Sequence, residues 1–453
     1  MSYICSLKNQ LNHNLFRKTV YCTTDKAYTP VGAAAKYGQV SPHNMKVTTL
    51  ADQNRLFTQM KGKTIGVSIK DRGAVFPSGH TANGAYWFEG LSEAKWMTSS
   101  YYMDTLPQWV QDFNAPTKIS SYLQTWNTLY DISLYDESGP DLSDYEEGFK
   151  GKLTTEFPYD LSALMELNEG YDIIKSTPFG NTMITDFAMA AVDGENLGTD
   201  NFTDFLTVSY SSTDYIGHDF GVNSVELQDA YLRLDLELER LLNCLDVKVG
   251  AGNYTLFLTS DHGAADVPSY LTDIHMPSGY VPENSFASLY LSLKKKYGVS
   301  DLVKKISNNQ VFLNQERIAA LKINLEDVQK FVVNQIISYP HIKKAYTATT
   351  MQTHYFKDGM EKMLQNGYHQ KLSGDVLYTL ESGVISYGPK GTTHGSGYNY
   401  DTHVPLLFYG NGIQPGKTYD RTSVTDIAPT ISALLGIAFP SGATGSVIAK
   451  VIY

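Results

Sequence analysis

From Asn223 to Leu245 the apolar residues Leu227, Tyr231, Leu234, Leu238, Leu241 and Leu245 recur at alternating steps of four and three. That spacing stacks side chains on one face of an α-helix. Asn223, with Glu226 three residues on, predicts a capping box at its start. Further helices are predicted over Met183–Val192, over Leu325–Ile337, and from a Thr425 cap to Leu435, where Pro429 is tolerated near the first turn. Between them lie short runs rich in β-branched and aromatic residues: Thr64–Ile69, Phe205–Tyr210, Tyr254–Thr259 and Val404–Tyr409. These read as strands, and Ala287–Leu293 reads as another. Strands alternating with helices imply an α/β fold with a mostly parallel sheet, whose ligands gather at the carboxyl ends of the strands. Two stretches break the pattern, about 73–165 and about 265–385, and both read as insertions into one domain spanning 1–453.

Composition narrows the choice of partner. The chain has 453 residues, 42% hydrophobic and 18% charged, with a formal net charge of −11. A diffuse acidic balance argues against nucleic acid, whose binding rests on neutralising phosphates, but leaves room for a small anion at a local positive site. No apolar run reaches the roughly 18–20 residues of a membrane span. The start, Met1 to Asn9, lacks the charged and apolar pattern of a signal peptide, which read literally keeps the chain in the cytoplasm. The three cysteines, Cys5, Cys22 and Cys244, form neither a disulfide framework nor a CxxC pair.

The chemistry-bearing residues sit just beyond the strands. Lys70 and Arg72 follow the first, two cations one residue apart that can face one anion; an exposed charged turn is the plainer alternative. Asp214 and His218 lie four apart in a turn containing Gly217. Asp261 and His262 end the Tyr254–Thr259 run, with Gly263 beside them. His394 sits in a Gly-rich loop before Val404. Each pair alone also reads as an ordinary turn residue with an incidental histidine. Together they supply two carboxylates and three imidazoles, ligand types suited to zinc. Five ligands exceed a closed structural site and suit two neighbouring metals.

These segments carry a specific resemblance. VYCTTD, GVSIKDRGAVFPSGH, GAYWF, TPFGNT, FLTVSYSSTDYIGHDFG, YLRLD, FLTSDHGAA, GTTHGSGYNYDTHVPLLFYG and TDIAPTISALLGI occur in order from about Thr19 onward. The chain thereby resembles the alkaline phosphatase superfamily, and within it the single-chain bacterial phosphate-irrepressible (PafA-type) enzymes. The resemblance implies an alkaline-phosphatase-like sheet sandwiched by helices, with inserted cap segments. It implies a small phosphate monoester as substrate, hydrolysed through a phosphoryl-enzyme intermediate with two zinc ions. It places Asp214, His218 and His394 on the first zinc, Asp261 and His262 on the second, and Lys70 and Arg72 on the phosphoryl oxygens. Asn9 falls at the spacing of a phosphate-contacting Asn, although its neighbours Gln10, Leu11 and Asn12 differ from the family context. His403 resembles a structural residue of its loop, and His80 matches the pattern without a catalytic role.

One part of the family pattern has no match. The resembled enzymes begin with an apolar strand ending in a zinc-ligating Asp, followed by a Thr or Ser nucleophile. Neither precedes Lys70 here, so the first core strand is expected to be absent. The expectation is an incomplete copy with impaired or no activity; the complete family member holds two zinc ions, and two or fewer are left open for this chain. The family is exported, and its export signal would lie in the unmatched part. The alternatives are a phosphodiesterase or nucleotide pyrophosphatase of the same superfamily, which would not need the Lys70–Arg72 pair, and a non-catalytic metal-binding relative.

Overall fold

The structure, a computed structural model, describes residues 10–12, 18–34, 38–282 and 285–452. The chain forms two compact units: residues 23–260 with 405–453, and residues 261–404 with those up to 22.

The larger unit is organised by a five-stranded sheet. Its strand Thr64–Ser68 is buried throughout and pairs in parallel with Gly84–Glu89 on one side and Phe205–Ser209 on the other. Beyond Gly84–Glu89 the sheet continues antiparallel through Lys95–Ser99 to Pro30–Val31. The Thr64–Ser68 strand is buried on both faces, so its apolar run is continuous and not alternating. Gly66 permits the following helix, Asp71–Ser78, to lie against it: a Cβ there would stand 2.3 Å from the Ala74 carbonyl oxygen. The helix Pro178–Gly194 buries Met183, Ile184, Phe187, Ala188 and Ala191, with Phe187 stacked on Trp96 at 3.9 Å between ring centroids. The two strands at Gly84–Glu89 and Lys95–Ser99 come from the stretch that the sequence pattern presents as irregular. Both are buried on both faces, so no period of two marks them. The rest of that stretch winds around Trp126, Phe149, Phe157, Tyr159 and Phe220, whose rings lie 5.1–6.2 Å apart.

The long helix is Val225–Leu245, and its N-cap is Ser224, whose hydroxyl accepts the Leu227 N–H at 3.1 Å, rather than Asn223. Its buried face is also offset from the leucine spacing. Tyr231 is 56% exposed, while Glu226, Asp229 and Glu237 are buried beside Ala230 and Leu241. Strand Thr255–Thr259 then pairs antiparallel with Leu406–Gly410, and Phe257, Leu407 and Tyr409 on that ladder remain exposed. The helix Ile427–Leu435 is entered by a 3₁₀ turn with a Ser423–Asp426 capping box, so Thr425 is not the cap.

The smaller unit has its own four-stranded antiparallel sheet in the order Val303–Ser307, Gln310–Leu313, Val376–Leu380, Ile342–Thr347. Its core joins Val311 and Val376 to the helices Leu325–Ile336 and Ala287–Tyr297. The segment expected as a strand over Ala287–Leu293 is therefore helical. Leu289 and Leu293, one turn apart, are fully buried, and the leucine and tyrosine alternation that mimicked a strand wraps around the helix. Among the described residues, no helix is long and apolar enough to cross a membrane.

Candidate functional site

In the larger unit, Ser68 pairs with Ser209, so the carboxyl ends of two parallel strands are level. Three hydroxyls knit the ends together: Ser211 Oγ lies 3.1 Å from Ser68 Oγ and 3.2 Å from Ser209 Oγ, and the Lys70 N–H donates to Ser68 Oγ at 3.0 Å. Gly73 keeps this space open, because a Cβ there would stand 2.6 Å from Ser68 Oγ. Lys70 is the extended N-cap of the helix Asp71–Ser78, and Arg72 lies in its first turn. Asp71 between them is turned elsewhere, accepting a 2.5 Å hydrogen bond from Thr23 Oγ1.

Asp214 and His218 lie on a true helix, Ser212–Phe220, and not in a loose turn. Positions four apart on a helix share a face, and Asp214 Oδ1 stands 3.4 Å from His218 Nε2. The other Asp214 oxygen is paired with Lys70 Nζ, which also lies 4.4 Å above the Tyr215 ring. The start of this helix is tied by Asn181, whose Oδ1 accepts the Ser212 N–H at 3.3 Å. Burial pushes the neighbouring Asp219 carboxyl up to about 6, against the Ser176 hydrogen bond and aided by the Glu147 and Asp214 charges. Burial likewise raises the Tyr215 phenol, keeping a neutral ring beneath Lys70.

In the smaller unit, Asp261 Oδ2 lies 3.4 Å from His262 Nε2. His262 Nδ1 is 2.9 Å from the Gly263 carbonyl oxygen. A carbonyl only accepts, so Nδ1 carries the proton and Nε2 keeps its lone pair for a metal. The His262 and His394 rings stack with centroids 3.3 Å apart and planes 12° apart. Each unit thus gathers carboxylate and imidazole donors, with the His262 imidazole oriented for ligation, and this donor chemistry fits a divalent ion of the zinc type.

His403 is exposed at the end of a short helix, and His80 turns its Nε2 to the Val47 carbonyl at 3.2 Å; neither joins these clusters. Asn9 lies outside the described residues. The sequence reading passed over Ser211, Asn181 and Tyr215. All three lie inside segments it quoted, but nothing in their spacing signals a supporting hydroxyl, amide or ring.

A family model described as type I phosphodiesterase / nucleotide pyrophosphatase matches residues 23–404. A "calcium-transporting ATPase" of Myroides odoratus is 44% identical over 441 residues, covering 96% of this chain and 80% of that protein. Alkaline phosphatase PafA of Elizabethkingia meningoseptica is 42% identical over 439 residues, with the same 96% and 80% coverage. The crystal structure of wild-type alkaline phosphatase PafA matches with a TM-score of 0.94 at 40% identity, covering 98% of this chain and 85% of that one.

Proposed function

The chain belongs to the type I phosphodiesterase / nucleotide pyrophosphatase family, in its PafA-type alkaline phosphatase branch, and is a phosphate monoester hydrolase; we propose that zinc held by its own carboxylates and imidazoles serves that reaction. Asp214, His218 and His394 would hold one ion, and Asp261 with His262 would contribute to a second. Such ions, when bound, supply charge stabilisation to the phosphoryl and leaving oxygens and lower the pKa of an oxygen nucleophile.

The observation that carries this reading is the Lys70–Asp214 pair beside His218, at the level carboxyl ends of two parallel strands. A divalent ion held by the Asp214 carboxylate and a phosphoryl oxygen held by the Lys70 ammonium would replace one ion pair by two. Lys70 and Arg72 would then neutralise the non-bridging oxygens, Arg72 through its planar fork, where charge must be held through the transition state. His262, its proton fixed on Nδ1 by the Gly263 carbonyl, offers Nε2 without rearrangement. Hydrolysis would run through a phosphoryl-enzyme intermediate, from which water would release inorganic phosphate.

Two cations on one phosphoryl group favour the dianionic monoester over a diester, which carries one charge fewer. Arg72→Ala is expected to lower aryl phosphate hydrolysis much more than hydrolysis of an aryl phosphodiester; equal losses would remove the role given to Arg72. Binding of inorganic phosphate, followed calorimetrically with zinc present, tests the same role independently of turnover. Binding that survives both Lys70→Ala and Arg72→Ala unchanged would sink the proposal.

A further inference from the structure

Two ligand-bearing segments of the smaller unit converge on one residue that the proposed chemistry does not use. Asp401, on the short helix Asn399–Thr402, is 4% exposed. Its Oδ2 accepts the N–H groups of Gly395 at 3.0 Å and Ser396 at 2.5 Å, the two residues directly after His394. Its backbone carbonyl accepts the N–H of Gly263, directly after His262, at 2.8 Å. The two ligand segments are also laced to each other: the Ala265 N–H donates to the Thr393 carbonyl at 3.3 Å, and Thr392 Oγ1 donates to the Ala265 carbonyl at 2.6 Å.

The backbone is shaped for this clamp. A Cβ on Gly263 would stand 2.1 Å from the Tyr400 carbonyl oxygen, so only glycine lets the two segments approach this closely. Gly395 has φ +117°, a conformation that side chains resist. One carboxylate on two successive N–H groups makes charge-assisted bonds, stronger and more directional than those a hydroxyl would offer.

We propose that Asp401 is a positioning residue that sets the imidazoles of His262 and His394, one ligand of each proposed metal, through the backbone immediately following each. The proposal rests on the zinc reading above. The carboxylate holds the His394 segment and the Asp401 backbone carbonyl holds the His262 segment, so loss of the side chain acts on His394 directly and on His262 through the lacing between the two segments.

The test is zinc affinity by chelator competition, with the visible spectrum of the cobalt-substituted protein, on the full chain. Asp401→Ala removes the carboxylate half of the clamp and leaves the backbone bond to Gly263, and Asp401→Glu keeps the charge but extends the carboxylate by one methylene. Asp401→Asn keeps an amide oxygen for the two N–H groups. Loss of an outer support weakens metal binding by about 10–100-fold, and that loss is expected for the Ala and Glu variants, with altered cobalt band intensity. The Asn variant, which keeps the acceptor but not the charge, is expected between wild type and the Glu variant. A merely structural role would lower the folded fraction without changing the cobalt spectrum of what remains folded. If Asp401→Ala does not fold, the Glu and Asn pair decides the matter. Wild-type affinity and spectrum in the Glu variant would overturn the proposal, as would an Asn variant as weak as the Glu variant. A wild-type chain that binds no zinc, while Asp261→Ala changes nothing, would instead overturn the zinc reading itself.

Discussion

Replacing Glu226 by Gln should abolish a large part of the pH dependence of stability. Glu226 is fully buried in the first turn of the Val225–Leu245 helix. The Tyr159 hydroxyl stands 2.5 Å from both Glu226 Oε1 and the Thr155 carbonyl oxygen. That hydroxyl has one proton to share between the two acceptors, so it offers the Glu226 carboxylate only a weakened donor. Burial is the main cause pushing the Glu226 carboxyl up to about 8, opposed by the Tyr159 bond and reinforced by the charges of Asp141 and Asp229. Glu146 also faces Tyr159, and Lys152 Nζ lies 5.1 Å over its ring. The folded value thus lies above the ordinary 4.5. The stabilising contribution is complete below pH 4.5, declines from there, and is gone above about 8. At about 1.4 kcal/mol per unit the ceiling on the loss is roughly 5 kcal/mol. Gln is uncharged at every pH and keeps an oxygen for the Tyr159 hydroxyl, imitating the neutral acid. Urea unfolding with chelator present, from pH 5 to 9, should show wild type losing stability relative to Glu226→Gln as pH rises. The variant should be the more stable by several kcal/mol at pH 9. Parallel stability curves would refute the reasoning.

Asp229→Ala should cost about 3–5 kcal/mol in the same measurement, because the buried carboxylate serves Trp126 Nε1 at 2.7 Å, the Leu129 N–H at 2.6 Å, the Tyr135 hydroxyl at 2.5 Å and Arg233 Nε at 2.6 Å; a loss under 1 kcal/mol would contradict this. Phe187→Ala opens a cavity against Trp96, Phe113 and Trp109 and should cost about 3–5 kcal/mol, read as a lowered denaturation midpoint. Gly263→Ala forces the Tyr400 carbonyl away and should reduce bound zinc, measured by metal analysis after dialysis; an unchanged zinc content would show that the loop yields without moving His262.

The strands at Thr64–Ser68, Phe205–Ser209, Thr255–Thr259 and Leu406–Gly410 were legible because buried strands concentrate β-branched and aromatic residues between polar turns. The residues that follow them, Lys70, Arg72, Asp214, His218, Asp261 and His262, were legible for the same reason, since strand ends are where α/β sheets place ligands. The offset of the long helix was not. Its buried face carries Glu226 and Glu237, which a hydrophobic pattern assigns to solvent. Their partners, Tyr159 and Thr182, lie 67 and 55 residues away in sequence. Asp401 was illegible as a support because its work is done on backbone N–H groups, which leave no mark in composition. The Ala287–Tyr297 helix was misread because an isolated short apolar run carries no period long enough to separate the two structures.

Strand Thr255–Thr259 meets Leu406–Gly410 rung for rung, with Thr259 opposite Leu406, while residues 261–404 between them form most of a separate compact unit. In topological terms this is a hairpin whose turn is a folded body. As free chain, a connection of that length would have to surrender a large loop-closure entropy before the ladder could form, though each doubling of length adds only about 0.6 kcal/mol. Once the inserted body has folded on its own sheet and core, the effective loop shrinks to the few residues that enter and leave it. The ladder's formation is therefore conditional on a distant stretch of sequence that contributes no strand to it. The same rung is a natural seam for protein engineering: a short Gly-containing turn joining Thr259 to Leu406 would preserve the register while removing the insert.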